Sequence, residues 1–281
     1  MTTSATVLVA VFGALVGACV GSFTCVVIDR LPLALDEPNE FGDLYDTRPW
    51  PQVLGGRSRC DSCGEAVRPR DNVPVLGWLL LRGRCRDCGE RFGAFHPVVE
   101  VAVPAVGLLM WWGIGSHWQL LPVLWLVPVG IAVAVIDLRT LIVPTRIVWP
   151  ALAVSVVLSL VAAFAADEPG RLWGGLLGVA ALAGPLFVLW FVHPRGMGFG
   201  DVRMAVLLGW TVGFVAYDGR WAAAVFAAVV TLGVGALLGL PLALSTLVRR
   251  GWRAVSPFGP SLVAATLLVC ALAVGVVDLL G

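Results

Sequence analysis

Long apolar runs, broken by short polar or Pro/Gly-rich stretches, dominate the chain. A helix crossing a hydrocarbon core of roughly 30 Å takes about 17 to 25 mostly apolar residues. Eight stretches meet or approach that length: residues 5–28, 97–115, 119–136, 144–166, 172–192, 202–217, 221–248 and 257–280. The sixth is short and carries Gly209 and Gly213, so it also reads as a re-entrant segment. The pattern predicts an all-α polytopic membrane protein with about eight transmembrane helices. No basic stretch precedes the first run, and that run is too long for the apolar core of a signal peptide, so it is expected to remain as a helix.

One sizeable polar stretch interrupts this pattern, residues 29–96, with ten arginines and eleven acids. It is expected to form a small domain outside the bilayer. Its first part, residues 33–56, is rich in Pro, Asp and Glu and reads as a loop or linker. The expected organisation is therefore a first transmembrane helix at 1–28, a polar domain at 29–96 and a membrane domain at 97–281. No internal repeat is evident.

Composition sharpens the picture. Of 281 residues 59% are hydrophobic and 13% charged, and the mean hydropathy is +0.91. Ordinary domains carry about 25% charged residues, so a soluble enzyme, a disordered chain and a secreted disulfide scaffold are all excluded. The net charge of +1 gives no pull toward nucleic acid. All 19 basic residues are arginine, and if the runs alternate sides, 17 of them fall on one face, leaving only Arg171 and Arg220 opposite. Arg30, Arg139, Arg146, Arg203, Arg249, Arg250 and Arg253 lie close to run ends. The excess of positive charge makes that face cytoplasmic, with both termini outside.

Four of the seven cysteines form Cys60-x-x-Cys63 and Cys85-x-x-Cys88 within the polar domain. A reducing cytoplasm disfavours disulfides there. Each pair is followed by a glycine (Gly64, Gly89) that permits a tight turn aiming both sulfurs at one tetrahedral ion, close to the spacing of a four-cysteine zinc site. Four thiolates leave no position for water, so the zinc is expected to be structural. Cys19, Cys25 and Cys270 sit singly in apolar runs and read as packing residues.

Ionisable groups in a membrane are costly and mark function by default. Glu100, Asp137 and Asp201 each fall near the cytoplasmic end of a run. Asp137 ends an apolar helix, and Asp201 closes Gly196-Met197-Gly198-Phe199-Gly200-Asp201, which opens another. Gly198 and Gly200 would let an extended substrate backbone approach. Two carboxylates at a helix junction are the groups an aspartic protease needs: one, ionised, activates water while its protonated partner donates to the peptide carbonyl.

Several segments then resemble one family. Gly21-Ser22-Phe23 through Ile28-Asp29-Arg30-Leu31-Pro32, the block from Cys60 through Asn72-Val73-Pro74-Val75-Leu76-Gly77-Trp78 and Cys85 to His96-Pro97-Val98-Val99-Glu100, Ile136-Asp137-Leu138 with Pro144, the hexapeptide to Asp201, and Pro257-Phe258-Gly259-Pro260 are similar, in order, to the type IV prepilin leader peptidases. The resemblance covers essentially the whole chain. It implies that Asp137 and Asp201 are the catalytic pair and that the cysteine domain belongs to the methylating subfamily. It further implies a multi-pass protein of the bacterial inner membrane that cleaves prepilin or pseudopilin precursors at the cytoplasmic face, in type IV pilus assembly or protein secretion. The new N-terminus would then be methylated with S-adenosylmethionine. Glu100 is the expected acid of the methyl-transfer region, orienting the substrate ammonium or accepting its proton. Thr145, Arg203 and His96 depart from the family's usual acid, lysine and tyrosine. The alternatives are a peptidase without methylation, or a proton- or cation-coupled transporter with a zinc regulatory module.

Overall fold

The computed structural model describes residues 3–33, 49–115, 117–194, 197–250 and 256–280. Residues 34–48 of the expected linker, Gly196 and Arg253 lie outside the described residues. The described chain is helical. Eight long helices are present: α1 (Thr3–Leu33), α4 (Phe95–Ile114), α5 (Leu120–Thr140), α6 (Thr145–Ala165), α7 (Arg171–Val192), α8 (Phe199–Ala216), α9 (Trp221–Arg250) and α10 (Gly259–Leu280), with the short helices α2 (Trp50–Leu54) and α3 (Leu76–Leu80) between the first two. Seven of the long helices are long and apolar enough to cross a membrane, and α10 adds an eighth apolar helix of 22 residues. The expected fold class therefore holds. Helix α1 continues past the apolar run to Leu33, with Pro32 in its last turn.

The chain divides into two compact units, Met1–Leu108 and Leu109–Gly281. In the first, α1 packs on α4 through small residues. A Cβ on Gly17 would lie 2.7 Å from Pro104 Cβ, and one on Gly21 would lie 2.9 Å from Glu100 Cα. The polar segment has almost no apolar core. From residue 50 to 94 the buried hydrophobic residues, among those described, are Val53, Cys60 and Cys85.

In the second unit α8 is the central helix, with 72% of its 18 residues buried inside the protein. The short sixth run is thus a continuous helix. Its length suits a helix surrounded by protein, and its glycines serve packing. Gly209 and Gly213 of α8 meet Gly174 and Gly178 of α7 so closely that a Cβ on Gly178 would stand 2.1 Å from Gly209 O. Lipid supplies no hydrophobic drive between helices, so small residues that let backbones touch are how they associate. On another side, hydroxyl groups join α6 to α8. Ser155 Oγ and Thr211 Oγ1 are 3.3 Å apart, and Trp210 Nε1 donates to Ser159 Oγ at 3.1 Å. These contacts fix the C-terminal half of α8 against α6 and α7.

Candidate active site

Asp137 sits in the last turn of α5 and is 3% exposed. The helix closes just beyond it, where Leu141 takes a left-handed conformation (φ 57°) and donates its N–H to Asp137 O at 2.8 Å. Pro144 then caps α6. Asp201 lies in the first turn of α8, its N–H bonded to Gly198 O at 3.2 Å. It is near enough to Asp137 for the two charges to interact. The structure thus brings together the two acids that the sequence singled out.

Three contacts fix this meeting of helix ends. Gly259 opens α10 and donates its backbone N–H to Asp137 Oδ2 at 2.9 Å. A Cβ there would lie 2.6 Å from the same oxygen, so only glycine admits the bond. Gly200 packs against the α5–α6 turn, where a Cβ would come 2.8 Å from Val143 Cβ. Arg203, one turn into α8, donates Nη1 to Thr145 Oγ1 at the start of α6, with its guanidinium 5.0 Å from the centre of the Phe199 ring. The two departures from the family pattern in this region, Thr145 and Arg203, are therefore partners. Gly198 faces more open space, with Gly200 N at 3.9 Å from its would-be Cβ. The role of Gly259 was not read from the sequence. Its signal was the Pro257-to-Pro260 segment, which marks a helix start but does not name the acid it serves.

In the first unit the sulfurs of Cys60, Cys63, Cys85 and Cys88 all lie within 4.8 Å of one another. Cys60 and Cys88 are 3.8 Å apart, and Cys63 and Cys85 4.0 Å. A tetrahedral zinc with Zn–S bonds of about 2.3 Å has sulfurs about 3.8 Å apart, so the donor set fits that ion. Without a cation four thiolates cannot coexist. The N–H groups of Cys63 and Ser62 lower the Cys60 thiol to about 7. At Cys63 the Glu65 N–H acts in the same sense, but desolvation and the crowding sulfurs, Cys60 first among them, outweigh it and push the thiol up to about 12. A divalent ion relieves this conflict.

The two cysteine knuckles are a repeat. Arg59-Cys60-x-x-Cys63-Gly64-Glu65 and Arg84-Cys85-x-x-Cys88-Gly89-Glu90 share their sequence, their turns (Cys60 N to Glu65 O at 2.9 Å, Cys85 N to Glu90 O at 2.7 Å) and their glycine conformation, φ +74° and +73°. The expectation of no internal repeat is corrected here. The unit is too short to stand out against the apolar runs. Asp71, between the knuckles, accepts two bonds from Arg86 at 2.6 and 2.8 Å. The Arg86 hydrogen bond holds the Asp71 carboxyl below its ordinary value of 3.8. A lowered carboxyl stabilises the fold above its unfolded pKa, and the contribution fades as pH falls through the folded value. Asp71→Asn is therefore expected to lower the unfolding midpoint at neutral pH and to lose that difference in acid, below about pH 4, as read by thermal denaturation across pH.

Glu100, buried in the second turn of α4, accepts the N–H of Val75 on Oε2 at 2.7 Å. Val75 has φ 61° and ψ −50°, a γ-turn geometry closed by the Leu76 N–H on Pro74 O at 2.6 Å, which a β-branched residue adopts only under constraint. Glu100 thus pins the polar segment to α4. His96 Nε2 and Asp29 Oδ2, at the ends of α4 and α1, are 2.6 Å apart.

Helical membrane architecture, acids meeting at helix ends and a four-thiol cluster define a class of polytopic membrane protein. Residues 15–114 match the bacterial peptidase A24 N-terminal domain, and residues 124–276 match the type IV leader peptidase family. The prepilin leader peptidase/N-methyltransferase of Stutzerimonas stutzeri is 32% identical over 262 residues, covering 89% of this chain and 86% of that protein. The protein of the same name from Aeromonas hydrophila is 30% identical over 263 residues, with 88% and 84% covered. No solved structure gives a significant match. The chain belongs to the type IV leader peptidase family.

Proposed function

We propose that this protein is a membrane aspartyl endopeptidase that removes the leader from type IV prepilin-like precursors and methylates the new N-terminus. The observation that carries the proposal is the meeting of Asp137 and Asp201 at helix ends, steadied by the Gly259 N–H. A precursor of this class has a short basic leader followed by an apolar helix, so its scissile bond lies at the membrane boundary. The arginine distribution assigns that boundary to the cytoplasmic face of the inner membrane. One aspartate, ionised, takes a proton from water as the oxygen attacks the peptide carbon; its protonated partner gives a proton to the carbonyl oxygen. Collapse of the tetrahedral intermediate breaks the C–N bond as one of its hydroxyls returns a proton to the aspartate that gave one, and the departing nitrogen takes up the proton first drawn from water. The N–H of Gly259 holds Asp137 in register through this exchange.

The four cysteines hold one structural zinc ion. S-adenosylmethionine, when bound, supplies an electrophilic methyl group. In the first unit Trp78 has a buried Nε1–H that meets no partner among the described residues, and it would donate to a polar group of that cofactor. Glu100 fixes the loop that carries Trp78 and orients the substrate ammonium. Glu100→Gln keeps an acceptor for Val75 but loses the charge, so methylation of an already-cleaved peptide is expected to fall while leader cleavage stays near the parent rate. Equal loss of both activities would assign Glu100 to folding instead. The function itself is tested by incubating the purified protein with a prepilin-like precursor and S-adenosylmethionine. Mass spectrometry should show loss of the leader together with gain of a methyl group.

A further inference from the structure

The polar segment carries an apolar surface that its own fold does not cover. Val73 is 43% exposed, Leu76 56%, Leu79 55% and Leu80 77%. They belong to α3 and the turn before it, within a segment of almost no core. Clustered large apolar side chains open to water mark an interaction surface. We infer that α3 lies on the cytoplasmic surface of the bilayer, with Leu76, Leu79 and Leu80 inserted among the lipid acyl chains just below the headgroups.

Two observations choose lipid as the occupant. The first is depth. Val75, the residue before α3, is bonded to Glu100, five residues into a membrane helix. At about 1.5 Å per residue, this puts the start of α3 within about two turns of the end of α4, level with the boundary region. Val98 and Val101, on either side of Glu100 in α4, are likewise exposed in the same unit, at 61% and 51%. The second is charge. Arg82 follows α3 directly and Arg70 precedes it, both exposed. Apolar side chains bordered by arginines match an interface of acyl chains under anionic headgroups. The inference rests on the membrane character of the chain and stands apart from the peptidase reading.

The test uses the full chain, reconstituted in vesicles of phosphatidylethanolamine and phosphatidylglycerol, with a benzophenone-bearing amino acid placed singly at position 76, 80, 101 or 65. Illumination should give lipid adducts at 76 and 80, as at the α4 position 101, and none at 65 on the first cysteine knuckle. A Leu79→Asp/Leu80→Asp variant that keeps the parent metal content should lose the adduct at 76. The inference is overturned if position 80 yields no lipid adduct while 101 does, if it links to a second copy of the chain instead, or if the double variant leaves the adduct at 76 undiminished.

Discussion

Asp137→Asn and Asp201→Asn are each expected to lower leader cleavage by about a thousand-fold, within the range that a positioned general acid or base supplies, while the protein still inserts and folds. Neither carboxylate can carry out both proton transfers, so either change removes the pathway rather than slowing one step of it. Asparagine keeps the shape of the side chain and, at position 137, an oxygen that can accept the Gly259 N–H. A loss of activity would therefore report chemistry and not collapse. Methylation of a pre-cleaved peptide should persist in both variants, since Glu100 and the cysteine cluster lie in the other compact unit. Cleavage by either variant at an appreciable fraction of the parent rate would end the aspartyl mechanism.

The second large effect is expected at the cysteines. Metal analysis of the purified protein should give about one zinc per chain, and paired changes such as Cys60→Ser/Cys63→Ser should abolish it. Because Val53, Cys60 and Cys85 are the buried apolar residues described in this stretch, a bound ion would stand in for a core. Loss of metal should therefore expose the segment to proteolysis and remove methylation, while the second unit and its cleavage activity survive. Disulfide pairing of the four thiols in the folded protein would contradict this account.

The sequence revealed the membrane helices because lipid imposes one simple rule, a long apolar run, on each of them. It revealed the acids for the same reason, since a carboxylate stands out against such a background. Its reading of the sixth run was weakest because α8 answers to a different rule. That helix is surrounded by protein, so Gly209 and Gly213 lower its apparent quality as a membrane span while improving its fit against α7. The bond from Gly259 to Asp137 was not legible at all. It spans 122 positions and uses a backbone N–H, which every residue but proline possesses. Thr145 and Arg203 were each visible as oddities, and only the fold showed that they answer one another.

The α7–α8 contact also bears on how such a protein can change over generations. At Gly178 and Gly213 the atom an added methyl would strike is a backbone carbonyl oxygen, at 2.1 and 2.2 Å. No side-chain change in the opposite helix can make room for it. A loss at these positions should therefore lack second-site suppressors in contact with it and be recovered only by reversion. Gly130 offers the contrast: its would-be Cβ meets Val263 Cγ1 at 2.7 Å, so Val263→Ala can compensate Gly130→Ala. Random mutagenesis followed by selection for regained activity should accordingly yield partner substitutions for Gly130 and only true revertants for Gly178, making the seam a fixed point around which the rest of the helix bundle is free to drift.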